Sequence, residues 1–208
     1  MITPEESDLQ PQNLELQIFL FRHGETAWTL SDQHTSISDI KLTEEGKKQA
    51  STMKARLQKI SFEAVLSSPM HRALETCEMA GLGEQKIIDD DLMEWNYGNY
   101  EGKTNEQIWE KDPNWTIFSN GTPDGESLHD ITIRADRAIK KLLAYKKNVA
   151  VFSHGHFLRV LAARWIRLPS QEGRLFSLKV ASISTLGFEH QERVIKLWDD
   201  TSHWKADL

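Results

Sequence analysis

The sequence predicts an α/β fold: a three-layer α/β/α sandwich with a mostly parallel central sheet. Short apolar runs that are typical of buried strands alternate with longer segments whose apolar residues recur at helical spacing. Two of the predicted strands, at 16–21 and 149–152, run directly into a turn that contains histidine and glycine. Strands and helices that alternate in this way produce a sheet covered by helices on both faces.

Length and composition indicate a folded unit that needs no covalent support. The chain has 208 residues, of which 39% are hydrophobic. A chain of this length buries about 70% of its unfolded surface. Residues 1–12 carry two prolines and little to bury, so we expect a flexible tail followed by a single domain at 13–208. The single cysteine, Cys77, excludes an intramolecular disulfide and agrees with a cytoplasmic location.

Charge and hydropathy argue against several classes of partner. The N-terminal segment has no apolar core of signal-peptide length, and no apolar run approaches the ~20 residues that cross a bilayer. The formal net charge of −6 argues against nucleic acid bound through a broad basic face. We therefore expect a soluble protein without membrane or nucleic-acid partners, either monomeric or homodimeric. Any anionic ligand would instead be bound by a small local group of arginine and histidine side chains.

The first predicted strand ends on Arg22-His23-Gly24. Ligands of open α/β sheets bind at the carboxyl ends of the strands, which is where these residues fall. The guanidinium of Arg22 suits a phosphate or a carboxylate, whereas His23 can be a base, a metal ligand or a nucleophile. Gly24 is expected to adopt a positive φ and to let a substrate approach the backbone. Taken alone, so short a motif favours an ordinary loop with a stray histidine.

A helix capped by Thr43 and a short strand at 63–67 come next, followed by a second arginine. Ser68 is expected to cap the next helix and Pro69 to occupy its first position, so this helix should run from Pro69 to about Ala80 and stop at Gly81. Arg72 would then lie in the first turn, where the helix dipole disfavours a cation. An anion that binds there would resolve the conflict, so we interpret Arg72 as functional.

The segment Glu94–Gly102 is aromatic, acidic and punctuated by glycine, and such a segment can line a binding site. The short excursion at 103–126 that follows is interpreted as a lid-like wall of that site, not as a domain. Its Trp109 and Trp115 are candidates either for substrate contact or for packing.

The C-terminal half begins with the clearest helix of the chain, which opens at the capping box Ser127-x-x-Asp130. The predicted strand at 149–152 then stops on Ser153-His154-Gly155-His156, before another helix. A second strand therefore ends in a histidine–glycine turn, as the first does. Two last strand patterns, at 178–189 and 194–198, suggest a hairpin.

The candidate site collects polar residues that fall mostly at predicted ends of strands or helices: Arg22, His23, Arg72, Glu94 and His154. A metal site would use the histidines, with His156, and the glutamate as ligands, but two arginines beside them would repel a cation. An anion site accounts for the whole set. The arginines neutralise a phosphoryl group, one histidine attacks it, and a carboxylic acid protonates the departing oxygen. We therefore expect no metal and no cofactor.

Over residues 16–165 the chain resembles the histidine phosphatase superfamily, the phosphoglycerate mutase-like proteins. The resemblance rests on four motifs in the family's order: Arg22-His23-Gly24-Glu25-Thr26, Ser67-Ser68-Pro69-x-x-Arg72, Glu94-x-x-Tyr97-Gly98 and His154-Gly155. It implies a phosphoglycerate mutase-like fold in which His23 is the nucleophile and Glu94 the general acid. Three residues would hold the phosphoryl oxygens: Arg22, Arg72 and His154. Others would contact substrate or phosphate: Thr29, Thr35, Ser36, Tyr97 and the backbone of Gly155. Glu126, in a Gly-Glu-Ser turn, is expected to face the same site.

Departures from the family's pattern bear on the substrate. Thr29 stands where the mutases usually carry asparagine, and Ser36 stands where many members have glycine. The mutases also carry a longer, arginine-bearing excursion, whereas 103–126 has only Lys103 and Lys111 as basic residues. Water should therefore reach the phosphohistidine, and its hydrolysis should be faster than transfer of the phosphoryl group to another substrate oxygen.

The motifs are most similar to a branch that holds acid phosphatases and sedoheptulose bisphosphatase-like enzymes. We predict a phosphatase that acts on small phosphorylated metabolites. The alternatives are a cofactor-dependent phosphoglycerate mutase and, from another class, a non-catalytic phosphate-binding module.

Overall fold

The core of the protein is a six-stranded sheet. The structure, a computed structural model, describes residues 15–205; the predicted tail at 1–12 lies outside this range. The strands are β1 (Ile18–Arg22), β2 (Ala64–Ser67), β3 (Lys86–Ile88), β4 (Val149–Ser153), β5 (Ile183–Glu189) and β6 (Glu192–Asp200). They lie in the order β3-β2-β4-β1-β5-β6. The first four are parallel, β5 runs antiparallel to β1, and β5 and β6 form the predicted hairpin.

Eight α-helices accompany the sheet within the described residues. They are α1 (Ala27–Leu30), α2 (Glu44–Thr52), α3 (Lys54–Leu57), α4 (His71–Met79), α5 (Asn105–Trp109), α6 (Ile117–Asn120), α7 (Leu128–Leu142) and α8 (Gly155–Trp165). Short 3-10 turns occupy 83–85, 90–92, 98–100, 170–175 and 202–205. Within residues 15–205, every helix is too short or too polar to span a membrane.

The sheet separates two apolar cores, because successive side chains of a strand point to opposite faces. Val149 and Val151 pack in one core together with residues of α7 and α8. Ala150 and Phe152 pack in the other core together with residues of α3 and α4, including the buried Cys77. The three-layer α/β/α architecture predicted from the sequence is therefore confirmed.

The register between β1 and β4 brings the two histidine–glycine turns together. Arg22 pairs with Ser153 at the ends of the strands, and the N–H of His23 donates to the carbonyl oxygen of Ser153 at 3.0 Å. The rings of His23 and His154 follow, with their centroids 5.3 Å apart. Two motifs that are far apart in the chain thus meet at the carboxyl edge of the sheet.

The positive φ expected at Gly24 is not observed. Glycines with a positive φ in the described part of the chain are Gly81, Gly98, Gly102 and Gly121, and Gly24 is not among them. Its missing side chain serves packing instead, because a Cβ there would lie 2.5 Å from the carbonyl oxygen of Gly46. Glycine at this position therefore lets α2 approach the turn that carries His23.

The predicted start of the second helix is also wrong. Helix α4 begins at His71, after an extended Met70, and not at Pro69. The hydroxyl of Ser68 is engaged elsewhere, because it lies 2.8 Å from Nε2 of His154. Arg72 still falls in the first turn of the helix, as expected.

Candidate active site

A cavity of about 240 Å³ opens where β1 and β4 end. Seven of the residues predicted for the site line it: Arg22, His23, Thr29, Thr35, Glu94, Tyr97 and Gly155. Four of the predicted residues do not: Ser36, Arg72, Glu126 and His154. The volume lies near the lower end of the range for small-molecule sites, roughly 300–1,000 Å³.

His23 is 4% exposed and is held in one tautomer. Its Nδ1 lies 2.8 Å from the carbonyl oxygen of Gly24. A carbonyl can only accept, so Nδ1 carries the proton and Nε2 keeps its lone pair. Burial, followed by the positive charges of Arg72 and Arg22, holds the pKa of His23 well below 6.5. His23 is therefore a neutral imidazole, the form that can attack phosphorus.

Arg22 presents unused donor capacity beside this histidine. Its Nη1 donates to the carbonyl oxygen of Leu178, whereas its buried Nε has no partner within residues 15–205. Gly155 allows the close packing of the backbone on this guanidinium, because a Cβ there would lie 3.2 Å from Nε and Cζ. A cation with a free donor at the floor of a cavity is suited to bind an oxyanion.

Arg72 lies behind His23 and is fully buried. It donates to the carbonyl oxygens of Thr35, Ser36 and Ser38 at 2.9–3.3 Å. Its Nε also donates to Nδ1 of His154 at 3.1 Å. Carbonyl dipoles of the 35–38 loop therefore satisfy this arginine at the helix N-terminus, where we expected an anion. Its charge still acts on His23 through the lowered pKa.

His154 is fully buried between two protein partners. Because its Nδ1 accepts from Arg72, its Nε2 carries the proton and donates to the hydroxyl of Ser68. Burial, then the charge of Arg72, holds the pKa of His154 well below 6.5. In this arrangement His154 orients Arg72 and does not itself line the cavity.

The carboxylate of Glu94 lines the cavity at the N-terminus of α8. Its Oε1 accepts from the N–H groups of Trp95 and Phe157 at 2.9 and 2.8 Å. Its Oε2 accepts from the N–H of His156 at 3.0 Å. Three backbone donors and the positive end of the helix dipole stabilise the negative charge of this side chain.

Glu126 braces the Glu94 segment from outside the cavity. It accepts from Nε and Nη2 of Arg134 at 2.7 and 2.6 Å, and from the N–H of Asn96 at 2.9 Å. Arg134 in turn donates to the carbonyl oxygens of Asp91, Met93 and Glu94. The Gly-Glu-Ser turn therefore points Glu126 at Arg134, where it supports the backbone around Glu94.

Ser36 also has a supporting position. Its hydroxyl donates to the carboxylate of Glu101 and accepts from the N–H of Tyr97 at 3.2 Å. Glu101 additionally binds the N–H groups of Ser36 and Ser38 at 2.9 Å. This contact holds the loop whose carbonyls bind Arg72.

The other residues that line the cavity were not among those predicted for a phosphate site, although His156 was considered as a metal ligand: Trp28, Asp32, Gln33, His34, Asn105, Glu106, His156, Arg159 and Leu178. Two of these had a detectable signal. His156 completes the His-Gly-His turn, and Arg159 follows it at helical spacing, so both side chains share one face of α8. The others come from loops that adjoin the site only in the folded chain.

The excursion at 103–126 forms part of the cavity wall, to which it contributes Asn105 and Glu106. Neither of its lysines lines the cavity. Trp115 is buried and its ring meets that of His34 edge-on at 5.5 Å. Trp109 donates from Nε1 to the carbonyl oxygen of Trp115 at 2.9 Å. Both tryptophans pack the wall and do not line the cavity.

Metal ligands are not assembled at this site. Within the part of the chain that the structure describes, no group of three or more histidine, cysteine, aspartate or glutamate side chains is arranged to hold a metal ion.

Comparison with known proteins identifies relatives over almost the whole chain. The model of the histidine phosphatase superfamily (branch 1) matches residues 18–201. An acid phosphatase of Mycobacterium tuberculosis is 38% identical over 191 residues, which cover 90% of this chain and 94% of that protein. A sedoheptulose 1,7-bisphosphatase of Saccharomyces cerevisiae is 30% identical over 192 residues, which cover 77% of this chain and 71% of that protein.

Solved structures share the fold. A Mycobacterium tuberculosis protein that is 38% identical superposes with a TM-score of 0.84, over 88% of this chain and 96% of that one. A phosphoserine phosphatase of Entamoeba histolytica, solved with 3-phosphoglyceric acid, is 26% identical. It superposes with a TM-score of 0.80, over 91% of this chain and 99% of that one.

Proposed function

The chain belongs to the histidine phosphatase superfamily and is a phosphatase; from that premise we propose that it hydrolyses phosphomonoesters of small metabolites through a phosphohistidine on His23. The observation that carries this proposal is the fixed tautomer of His23, whose Nε2 lone pair is free because Nδ1 is bonded to Gly24. Arg22 lies beside it in a cavity sized for a small molecule.

The reaction has two steps. Nε2 of His23 attacks phosphorus while the ester P–O bond breaks, and the leaving oxygen takes a proton from an acid. Water then attacks the phosphohistidine, the P–N bond breaks and inorganic phosphate leaves. Arg22 stabilises the negative charge of the transferred phosphoryl group. Burial, together with the positive charge of Arg72, keeps His23 unprotonated.

Glu94 is the proposed general acid of the first step and general base of the second. Its carboxylate is largely buried and lines the cavity, as Arg22 does. Burial lowers the pKa of Arg22, and the negative charge of Glu94 raises it. The other carboxylates in the lining, Asp32 and Glu106, are exposed. Glu94 gives a proton to the leaving oxygen in the first step and takes one from the attacking water in the second.

Hydrolysis is favoured over mutase activity by the composition of the cavity wall. The excursion at 103–126 brings no lysine or arginine into the lining, so it offers no positive cage that would retain a phosphorylated intermediate and exclude water. The names of the relatives agree with small phosphorylated substrates. A panel of such metabolites, assayed for released phosphate, would identify the substrate. The cytoplasmic location stays a prediction.

The phosphohistidine is tested by rapid quenching after brief exposure to substrate with a labelled phosphoryl group. The wild-type chain should carry an acid-labile, base-stable label, and His23→Ala should lose both label and turnover. His129→Ala is the matched control, because His129 is an exposed residue of α7 outside the cavity. Label that persists in His23→Ala would overturn the assignment.

A further inference from the structure

A second arginine lines the cavity and has no place in the chemistry described above. Arg159 lies on α8, three residues after His156. Its Nε donates to the carbonyl oxygen of Gly173 at 3.0 Å, and its Nη2 donates to that of Arg174 at 3.3 Å. The guanidinium carbon lies 4.6 Å from the centre of the Phe118 ring. These contacts fix the group but leave its charge without a counter-ion.

No carboxylate completes an ion pair with Arg159 among residues 15–205, and its Nη1 has no hydrogen-bond partner there. Burial lowers the pKa of Arg159, the negative charge of Glu94 raises it, and the like charge of Arg22 lowers it. Buried charges in proteins are generally paired, because an unpaired one is costly to remove from water. Arg159 is half-buried in the cavity lining and is attracted by Glu94, but no carboxylate of the described residues pairs with it, so its guanidinium is available to an anion from outside the chain.

The neighbouring His156 adds a donor. Its Nδ1 lies 2.5 Å from the hydroxyl of Tyr97, and burial raises the pKa of that phenol well above 10. Tyr97 therefore stays protonated, and in the tautomer of His156 in which the phenol donates to Nδ1, Nε2 carries the hydrogen. Arg159 and His156 thus supply hydrogen-bond donors from one face of the same helix.

We propose that Arg159, assisted by His156, forms a second anion subsite that binds another negatively charged group of the substrate, while Arg22 and His23 engage the phosphoryl group to be removed. This inference rests on the proposed function and narrows its substrate class to phosphate esters with a second oxyanion, either a carboxylate or another phosphate. Asp32 and Glu106 also line the cavity, but neither forms an ion pair with Arg159.

The test compares substrates that differ only in the second anion. Glycerol 3-phosphate is paired with 3-phosphoglycerate, and fructose 6-phosphate with fructose 1,6-bisphosphate; p-nitrophenyl phosphate is the reference. In at least one pair, the wild-type chain should favour the member that carries the second anionic group by roughly 10- to 100-fold in kcat/KM. This is the usual strength of a charge-assisted contact. The pair that shows the preference identifies the second group as carboxylate or phosphate.

Arg159→Gln should abolish this preference, mainly through KM, and leave p-nitrophenyl phosphate within about threefold. Arg174→Gln is the matched control, because that side chain is exposed, pairs with Glu172 and lies outside the lining. Arg159→Lys keeps the charge and loses the planar fork, so it should retain part of the preference and serves if the glutamine variant does not fold.

Binding separates this inference from the proposed function. In His23→Ala, calorimetry with the same pairs should show tighter binding of the member that carries the second anionic group. This difference should be lost in the double variant His23→Ala, Arg159→Gln. A preference absent from both kinetics and binding would overturn the subsite while hydrolysis of p-nitrophenyl phosphate upheld the function. The reverse outcome, selective binding without any hydrolysis, would overturn the function and retain the subsite.

Discussion

Replacing Glu94 with glutamine tests the proposed general acid and also changes stability by an amount that the structure predicts. The carboxylate accepts three backbone hydrogen bonds at 2.8–3.0 Å. A glutamine oxygen can keep the two made by Oε1, but its amide group would face the N–H of His156 donor to donor. Losing one charge-assisted hydrogen bond costs about 1.5–3 kcal/mol. Removing the negative charge from the N-terminus of α8 costs about a further 0.3–1 kcal/mol.

The free energy of unfolding should therefore fall by about 2–4 kcal/mol in Glu94→Gln. For a chain of this size that corresponds to a Tm lower by roughly 5–15 °C. Urea unfolding and thermal scans measure the change. Kinetics are then compared at 25 °C, where the variant is still folded.

The catalytic loss should depend on the leaving group. A sugar alkoxide needs a proton as it departs, whereas a nitrophenolate barely does. Glu94→Gln should therefore lower kcat/KM for a phosphosugar by roughly 10²–10⁴-fold, the usual contribution of acid–base catalysis, and far less for p-nitrophenyl phosphate. The parameter kcat/KM is the appropriate one because it reports the steps up to phosphorylation of His23.

Glu126→Gln is the matched control for this comparison. Glu126 loses charge-assisted contacts with Arg134 in the same segment, yet it does not line the cavity. It should lower stability by a comparable amount and affect the two substrates equally. If Glu94→Gln also affects both substrates equally, then Glu94 binds or positions, and the acid lies elsewhere.

Three further outcomes are expected. Because the pKa values of His23, His154 and His156 lie well below 6.5, the unfolded chain binds protons that the folded chain does not as pH falls below ~6.5. The free energy of unfolding, measured in urea at pH 7, 6 and 5, should drop by up to about 1.4 kcal/mol per histidine per pH unit; equal stability at pH 5 and 7 would contradict this. Chelators should leave activity intact and vanadate should inhibit, because Arg22 and Arg72 favour an anion over a cation; activity lost to chelator and restored by a divalent ion would refute it. With 3-phosphoglycerate and catalytic 2,3-bisphosphoglycerate, we expect phosphate release with little isomerisation, and rapid isomerisation without release would restore the mutase alternative.

The parts of the fold that were predicted correctly are those in which local pattern and tertiary structure agree. The apolar runs of β1 and β4 are strands because they are buried on both faces, and the capping box at Ser127 does open α7. The predicted family is confirmed by the match over residues 18–201. The parallel register of β1 and β4 explains why motifs separated by more than one hundred residues lie together.

The predictions that differ from the structure concern side chains whose hydrogen-bond partners could not be predicted from local spacing. Ser68 has the residue type of a helix cap, but its hydroxyl is bonded to His154 and the helix starts later. Glu126 was expected at the substrate and is instead bonded to Arg134. Such partners are not encoded in local spacing, so the sequence placed these residues near the site without revealing what they touch.

The same long-range contacts support the role of nucleophile that we propose for His23. Arg72 donates to His154 and thereby fixes its tautomer, three loop carbonyls hold Arg72, and burial together with the charge of Arg72 keeps His23 neutral. Arg72 and His154 would therefore contribute to turnover without lining the cavity, by setting the protonation state and position of the group that attacks. Of the two motif arginines, Arg22 is the one that lines the cavity, and its buried Nε has no partner among residues 15–205.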